Sequence, residues 1–122
     1  MNRTLLYIII GVLVTLLTAS CGRQQQAKSV VKDFLKANIA DYSKVDYLDI
    51  GDVDSTRVIN DSLLLAMQRS THNHFRQDIK YQPRNEKTLF LLRVKYLYEQ
   101  DTCSATFYMD AQLQGVVAFK EN

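Results

Sequence analysis

Two histidines one residue apart, His72-Asn73-His74, are the first candidates for chemistry in this chain. On a helix, positions i and i+2 point about 200° apart, so the pair cannot share one metal ion there. In an extended segment it could, with Asp78 or Cys103 brought in as further ligands. The plainer expectation is one surface histidine and one, His74, at the core boundary, with no metal and no cofactor. The acidic run Asp46, Asp49, Asp52, Asp54 lacks the glycine and terminal glutamate spacing of an EF-hand loop. It is expected to be a solvated strand face and turn. Arg93 and Lys95 alternate with Leu91 and Leu97, and a curved sheet could hold an anion or small amphipathic ligand against them, with His74 as a third contact. The simpler role for both is to cover a sheet face with their stems while the charges stay in water. His74 or Asp110 could serve as a general base only in an apolar pocket. The sequence contains no phosphate loop, dinucleotide fingerprint, zinc spacing or serine-nucleophile motif, and no residue is assigned a catalytic role.

Cys21 is the strongest single signal. Arg3 gives a positive start, Leu5 to Leu17 is an apolar run, and Thr18-Ala19-Ser20 places small residues before the cysteine. A membrane span needs ~20 apolar residues to cross ~30 Å of hydrocarbon, and Thr4 to Ala19 falls short. The stretch 1–22 resembles the lipobox of bacterial lipoproteins, departing from it where Thr18 replaces the usual leucine three places before the cysteine. The resemblance implies cleavage after residue 20 and a diacylglyceryl thioether on Cys21. Each buried methylene contributes ~0.8 kcal/mol, so two or three chains would make release negligible. By similarity to lipoprotein sorting signals, the absence of Asp after the cysteine permits delivery to the outer membrane, and the absence of an acidic cluster argues against flipping to the cell surface. The expectation is therefore an outer-membrane anchor facing the periplasm.

Composition bounds the rest. About 100 residues after the signal are enough for one domain with a modest core. The chain holds 15 basic and 13 acidic residues, and Arg3 is the only charge in residues 1–20. That near-neutral balance leaves no footprint for nucleic acid. Of the 2 cysteines, a lipidated Cys21 would leave Cys103 without an internal partner. It is expected to be a small buried hydrophobe in a strand, with an intermolecular disulfide as the other option.

The elements that must position these residues follow from periodicity. Residues 21–26 read as a lipidated tether reaching ~20 Å at most, ahead of a single domain over 27–122. Ala27 to Ile39 reads as an amphipathic helix through Val31, Phe34, Leu35, Asn38 and Ile39. Tyr47 to Val53 alternates as a strand, with Gly51 as a bulge. Asn60-Asp61-Ser62 can cap a second helix, in which Leu63, Leu64, Met67, Thr71, His74 and Phe75 recur at helical spacing until about Gln77. Ile79-Lys80-Tyr81 reads as a short strand. Thr88 to Glu99, Thr102 to Asp110 and Val116 to Lys120 read as an antiparallel meander. One face of the first of these, through Phe90, Leu92, Val94, Tyr96 and Tyr98, is wholly apolar or aromatic. The expected fold is α+β: two helices packed on one face of a curved antiparallel sheet of three to four strands. Phe34, Leu35, Leu63, Met67, Leu92, Val94, Tyr96 and Phe107 are the expected core.

That order, with the stretches Tyr47 to Ser55, Arg93 to Tyr96 and Phe107 to Asp110, resembles small Bacteroidetes-type lipoproteins with cystatin-like or nuclear-transport-factor-2-like domains. Such folds host unrelated functions. The expectation is therefore a membrane-tethered, non-enzymatic binding or interaction module, partnered by the membrane through Cys21 and by an envelope protein or small ligand. The alternatives are a small-ligand or lipid carrier, or a pocket enzyme using His74 or Asp110.

Overall fold

A computed structural model describes residues 22–122; the signal segment 1–20 and Cys21 lie outside the described residues. Helix α1 covers residues 22–38. It includes the residues read as a tether, because Gln24 and Gln26 have partners in the domain. The Gln24 amide donates to Gly51 O (2.9 Å) and accepts from Val53 N (2.6 Å), and Gln26 Nε2 donates to Leu113 O (3.4 Å). The rest of α1 behaves as its spacing predicts. Ala27, Val31, Phe34 and Leu35, with Ile39 just past the helix, are buried along one side, each of the four larger side chains contributing ~1.5–3 kcal/mol.

After a single 3-10 turn at Tyr42–Lys44 come β1 (Val45–Ile50) and β2 (Asp54–Thr56), then α2 (Asp61–Arg69), β3 (Leu89–Tyr98), β4 (Asp101–Met109) and β5 (Val116–Glu121). The sheet is antiparallel and five-stranded, in the order β1-β3-β4-β5, with β2 also on β3. The extra strand arises because β1 and β2 lie one after the other along the same edge of β3: Val45 pairs with Tyr98 and Ile50 with Val94, then Asp54 with Leu91 and Thr56 with Leu89. The bulge in β1 falls at Leu48, between the pairs Tyr47–Tyr96 and Asp49–Lys95, rather than at Gly51.

The two helices take opposite faces of the sheet, correcting the expectation of a single covered face. Leu92, Val94, Tyr96, Tyr98, Ala105, Phe107, Met109 and Phe119 pack with α1. Leu64 and Met67 of α2 instead pack with Leu89, Tyr108, Val117 and Ala118. A bulge makes that second cluster possible. Tyr108 pairs with Ala118 and Met109 with Val116, so Val117 is an extra residue and joins Ala118 beneath α2. Gln68 Nε2 then donates to the freed Val117 O at 2.8 Å.

Helix α2 starts as the sequence implies, with the Asn60 side chain accepting from Leu63 N at 2.8 Å. It ends at Arg69, eight residues before Gln77. Ser70 hydroxyl donates to Ala66 O (2.8 Å), competing with the helical ladder where a β-branched Thr71 follows. Residues 70–82 form a strap without regular structure; Ile79 to Tyr81 is not a strand. The strap rounds the β5 edge and returns to the α1 face. Ala40 N donates to His74 O (2.7 Å), Arg76 N to Asn38 O (2.9 Å) and Gln82 N to Val116 O (2.8 Å). Gly115 lets Gln82 pass: a Cβ there would lie 2.9 Å from Gln82 Cβ. Among the described residues no helix is long and apolar enough to cross a membrane.

Candidate functional site

The strap, the β3–β4 hairpin and the end of β5 meet in a polar shelf of about 400 Å³. It is lined by Asn73, His74, Asp101, Cys103, Ser104, Glu121 and their neighbours. His74 sits in the left-handed region (φ 70°), which a β-carbon resists. Its backbone is held there by the Ala40 N–H, and its ring stacks on Tyr98 with centroids 4.1 Å apart. Nε2 lies 3.2 Å from Asp101 Oδ2. Asp101 is largely in water, so this contact has the strength of a surface pair.

His72 occupies different surroundings and is the buried histidine of the two. Its ring stacks on Phe119 at 3.9 Å. Nε2 lies 3.2 Å from Met67 O, and a carbonyl only accepts, so that nitrogen holds the proton. Nδ1 stands 3.8 Å from Glu121 Oε1, which also accepts from Asn73 N at 3.0 Å. The two imidazoles are thus fixed on different strands by different partners. Among the described residues no three or more His, Cys, Asp or Glu side chains gather as metal ligands.

Cys103 is half-buried beside Tyr96 rather than enclosed. Burial, then the nearby Glu121 carboxylate, push its thiol above the ordinary range. The nucleophilic thiolate is therefore suppressed at neutral pH. Burial likewise raises the Tyr96 phenol, which stays a neutral donor. The shelf can exchange hydrogen bonds with a short polar group. It offers neither an activated nucleophile nor an apolar wall.

Arg93 and Lys95 are exposed on the sheet face opposite the α1 core, beyond the end that α2 covers. Their neighbours across the strands are Thr106 and Ser104. His74 stacks on Tyr98, whose face is the other one. The three residues read together as a ligand contact are therefore separated by the sheet. Asp46, Asp49, Asp52 and Asp54 are all exposed, as a solvated edge.

Asp110 is fully buried in the β4–β5 turn. Its Oδ1 accepts from Gln114 N (2.8 Å) and Gly115 N (2.9 Å), while Oδ2 has no partner among the described residues. It ties a turn whose Leu113 has φ 53°, the role of an Asx side chain that satisfies backbone donors two or more residues on. Periodicity could not reveal Asp101 as the partner of His74, because hairpin and strap meet only in three dimensions. The signal that existed was local: Glu99-Gln100-Asp101 marks the hairpin turn, and Glu99 indeed has φ 56°.

Between these sites the interior is filled. Phe34 meets Phe107 and Phe119 edge-on at 5.9 and 5.5 Å, Phe107 stacks on Phe119 at 5.3 Å, and Phe75 from the strap closes on Phe119 at 4.7 Å. Offset and edge-on pairs of this kind add to area burial. Comparison with protein-family models, curated proteins and solved structures returned no match.

Proposed function

We propose that this chain is a periplasm-facing lipoprotein held by lipid on Cys21, whose α+β domain is a non-enzymatic interaction module. The observation that supports the module reading is the filled sheet face. Phe34, Phe75, Phe107 and Phe119 occupy the space in which a cone-shaped fold would hold substrate or lipid. His74, Arg93 and Asp110, the candidates for a pocket, stand on a shelf, on the opposite face and inside a turn. Recognition then falls to the outer surface. The anchoring half of the proposal rests on the apolar run from Leu5 to Leu17 and the small residues before Cys21.

Intact mass of the chain extracted from membranes tests the anchor. The expected species begins at Cys21 and includes a diacylglyceryl group. A mature chain starting at Gly22 or later without lipid overturns it. The module half fails if the purified domain shows a turnover that His74→Ala abolishes while its circular dichroism is unchanged.

A further inference from the structure

The direction of the chain gives the domain two distinct ends. Helix α1 begins at the level of Phe90, over which Arg23 lies 5.1 Å from the ring centroid; just past its end Ala40 N donates to His74 O at 2.7 Å, and His74 Nε2 lies 3.2 Å from Asp101 of the β3–β4 hairpin. Residues 22–38 in α1 separate those ends by about 25 Å at 1.5 Å per residue. The first described turn of α1 is fastened to the domain. Gln24 is clamped to Gly51 and Val53, Gln26 reaches Leu113, and Ala27 is fully buried. Gly22 follows Cys21 directly, so no free chain is left to act as a tether.

The same end presents an apolar tip. Strand β2 runs past the start of β3, since Thr56 pairs with Leu89, the first residue of β3. Arg57 and Val58 therefore project beyond it, and Val58 is 85% exposed, the most exposed large hydrophobic among the described residues. Gln112 in the β4–β5 turn bonds Glu86 at 3.0 Å and Asn85 at 2.8 Å, bringing Lys87 to this end as well. An isolated exposed valine is unremarkable in water; at the end from which Cys21 extends, with Arg57 and Lys87 as well as Glu86 around it, it is placed for the headgroup boundary, where an apolar side chain is buried and Lys or Arg stay with the phosphates.

We infer that the Gly22–Val58–Gln112 end seats on the lipid bilayer and that the His74–Asp101 shelf is held at the far end, facing away from the membrane. The inference rests on the lipid anchor at Cys21 and adds a fixed orientation to it. Acyl chains on Cys21 would enter the bilayer within one residue of a pinned helix, so the domain stands on its α1 axis.

The chain contains no tryptophan, so single-tryptophan variants report depth cleanly. Lipidated Val58→Trp and Thr102→Trp proteins, the second at the far end, are placed in phosphatidylethanolamine–phosphatidylglycerol vesicles doped with tail-brominated phosphatidylcholine. The expected result is blue-shifted emission and several-fold stronger quenching for Val58→Trp than for Thr102→Trp. Gln112→Trp is a second near-end probe should Val58→Trp alter the circular dichroism. Equal quenching at both ends, stronger quenching at Thr102, or none at either near-end position overturns the orientation. The intact mass of the same samples separates the two claims. Lipid present without near-end quenching sinks the orientation alone, whereas lipid absent sinks the anchor.

Discussion

Tyr81 and Asp110 each bury an oxygen with no hydrogen-bond partner among the described residues, and single substitutions separate their effects. Burial pushes the Tyr81 phenol up to about 12. Its folded value is thus above the unfolded one. The stabilisation from keeping it neutral is complete below about pH 10, and is lost as pH rises from there through the folded value, because the unfolded chain ionises first. Tyr81→Phe removes the unpaired hydroxyl and keeps the ring that packs 5.8 Å from Phe34. It is expected to raise stability by ~1 kcal/mol at pH 7 and to flatten part of the alkaline decline. Urea titrations at pH 7 and pH 11 read both effects, and a loss of stability at pH 7 would refute the first. Asp110→Ala deletes an acceptor that two backbone N–H groups share, and should cost ~2–4 kcal/mol. Asp110→Asn keeps an oxygen for those donors and should cost clearly less. Equal losses in the two variants would mean that the carboxylate's charge, rather than its acceptor geometry, holds the turn.

At the level of the elements, the largest departure from the sequence periodicity is that the second helix stops early. Leu63, Leu64, Met67, Thr71, His74 and Phe75 share a helical period, yet α2 stops at Arg69, and the strap continues with Phe75 packed on Phe119 through a different geometry. An apolar residue every third or fourth position is satisfied as well by a strap stitched onto a core as by a helix. The same ambiguity gave Leu63 a core place; it is 47% exposed, whereas its neighbour Leu64 is 4% exposed. Leu64→Ala should therefore cost ~2–4 kcal/mol and Leu63→Ala under ~1 kcal/mol in chemical denaturation. The reverse order would place α2 in another register. Strands β3 to β5 were legible because alternation over ten residues, as in β3, leaves little choice of face, and the Asn60 cap because its mechanism is local. The shelf was only half legible. His74 stood out by type, but its partner Asp101 depends on where the strap crosses the hairpin, and the pairing of His72 with Phe119 depends on the same crossing. The separation of His74 from Arg93 and Lys95 needed knowledge of which helix covers which face. That choice was settled by the Val117 bulge, a feature without a period.

For the whole molecule, the covalent state of its thiol follows from where that thiol is placed. With Cys21 lipidated, Cys103 would be the sole cysteine available for oxidation. It lies at the start of β4 against Tyr96, with Asp101 and Glu121 nearby, and burial and those carboxylates disfavour its thiolate. Disulfide formation requires thiolate attack and free approach of a second sulfur. Both are hindered when the thiol is half-covered and lies beside two carboxylates, which outweigh the opposing hydrogen bond from Tyr96. In the proposed orientation the shelf around Cys103 faces away from the bilayer, so the membrane itself would not shield it, and protection must come from the fold. Native protein is therefore expected to react with a thiol-specific disulfide reagent at pH 7 at least ~10-fold more slowly than the urea-unfolded chain. It should also migrate as a monomer on a non-reducing gel after extraction from cells. Tyr96→Ala, which uncovers the sulfur, should speed the reaction more than an equally destabilising change on the other face, such as Leu64→Ala. A covalent dimer in the wild-type extract, or equal rates for folded and unfolded chains, would show that the two carboxylates and Tyr96 do not guard the thiol.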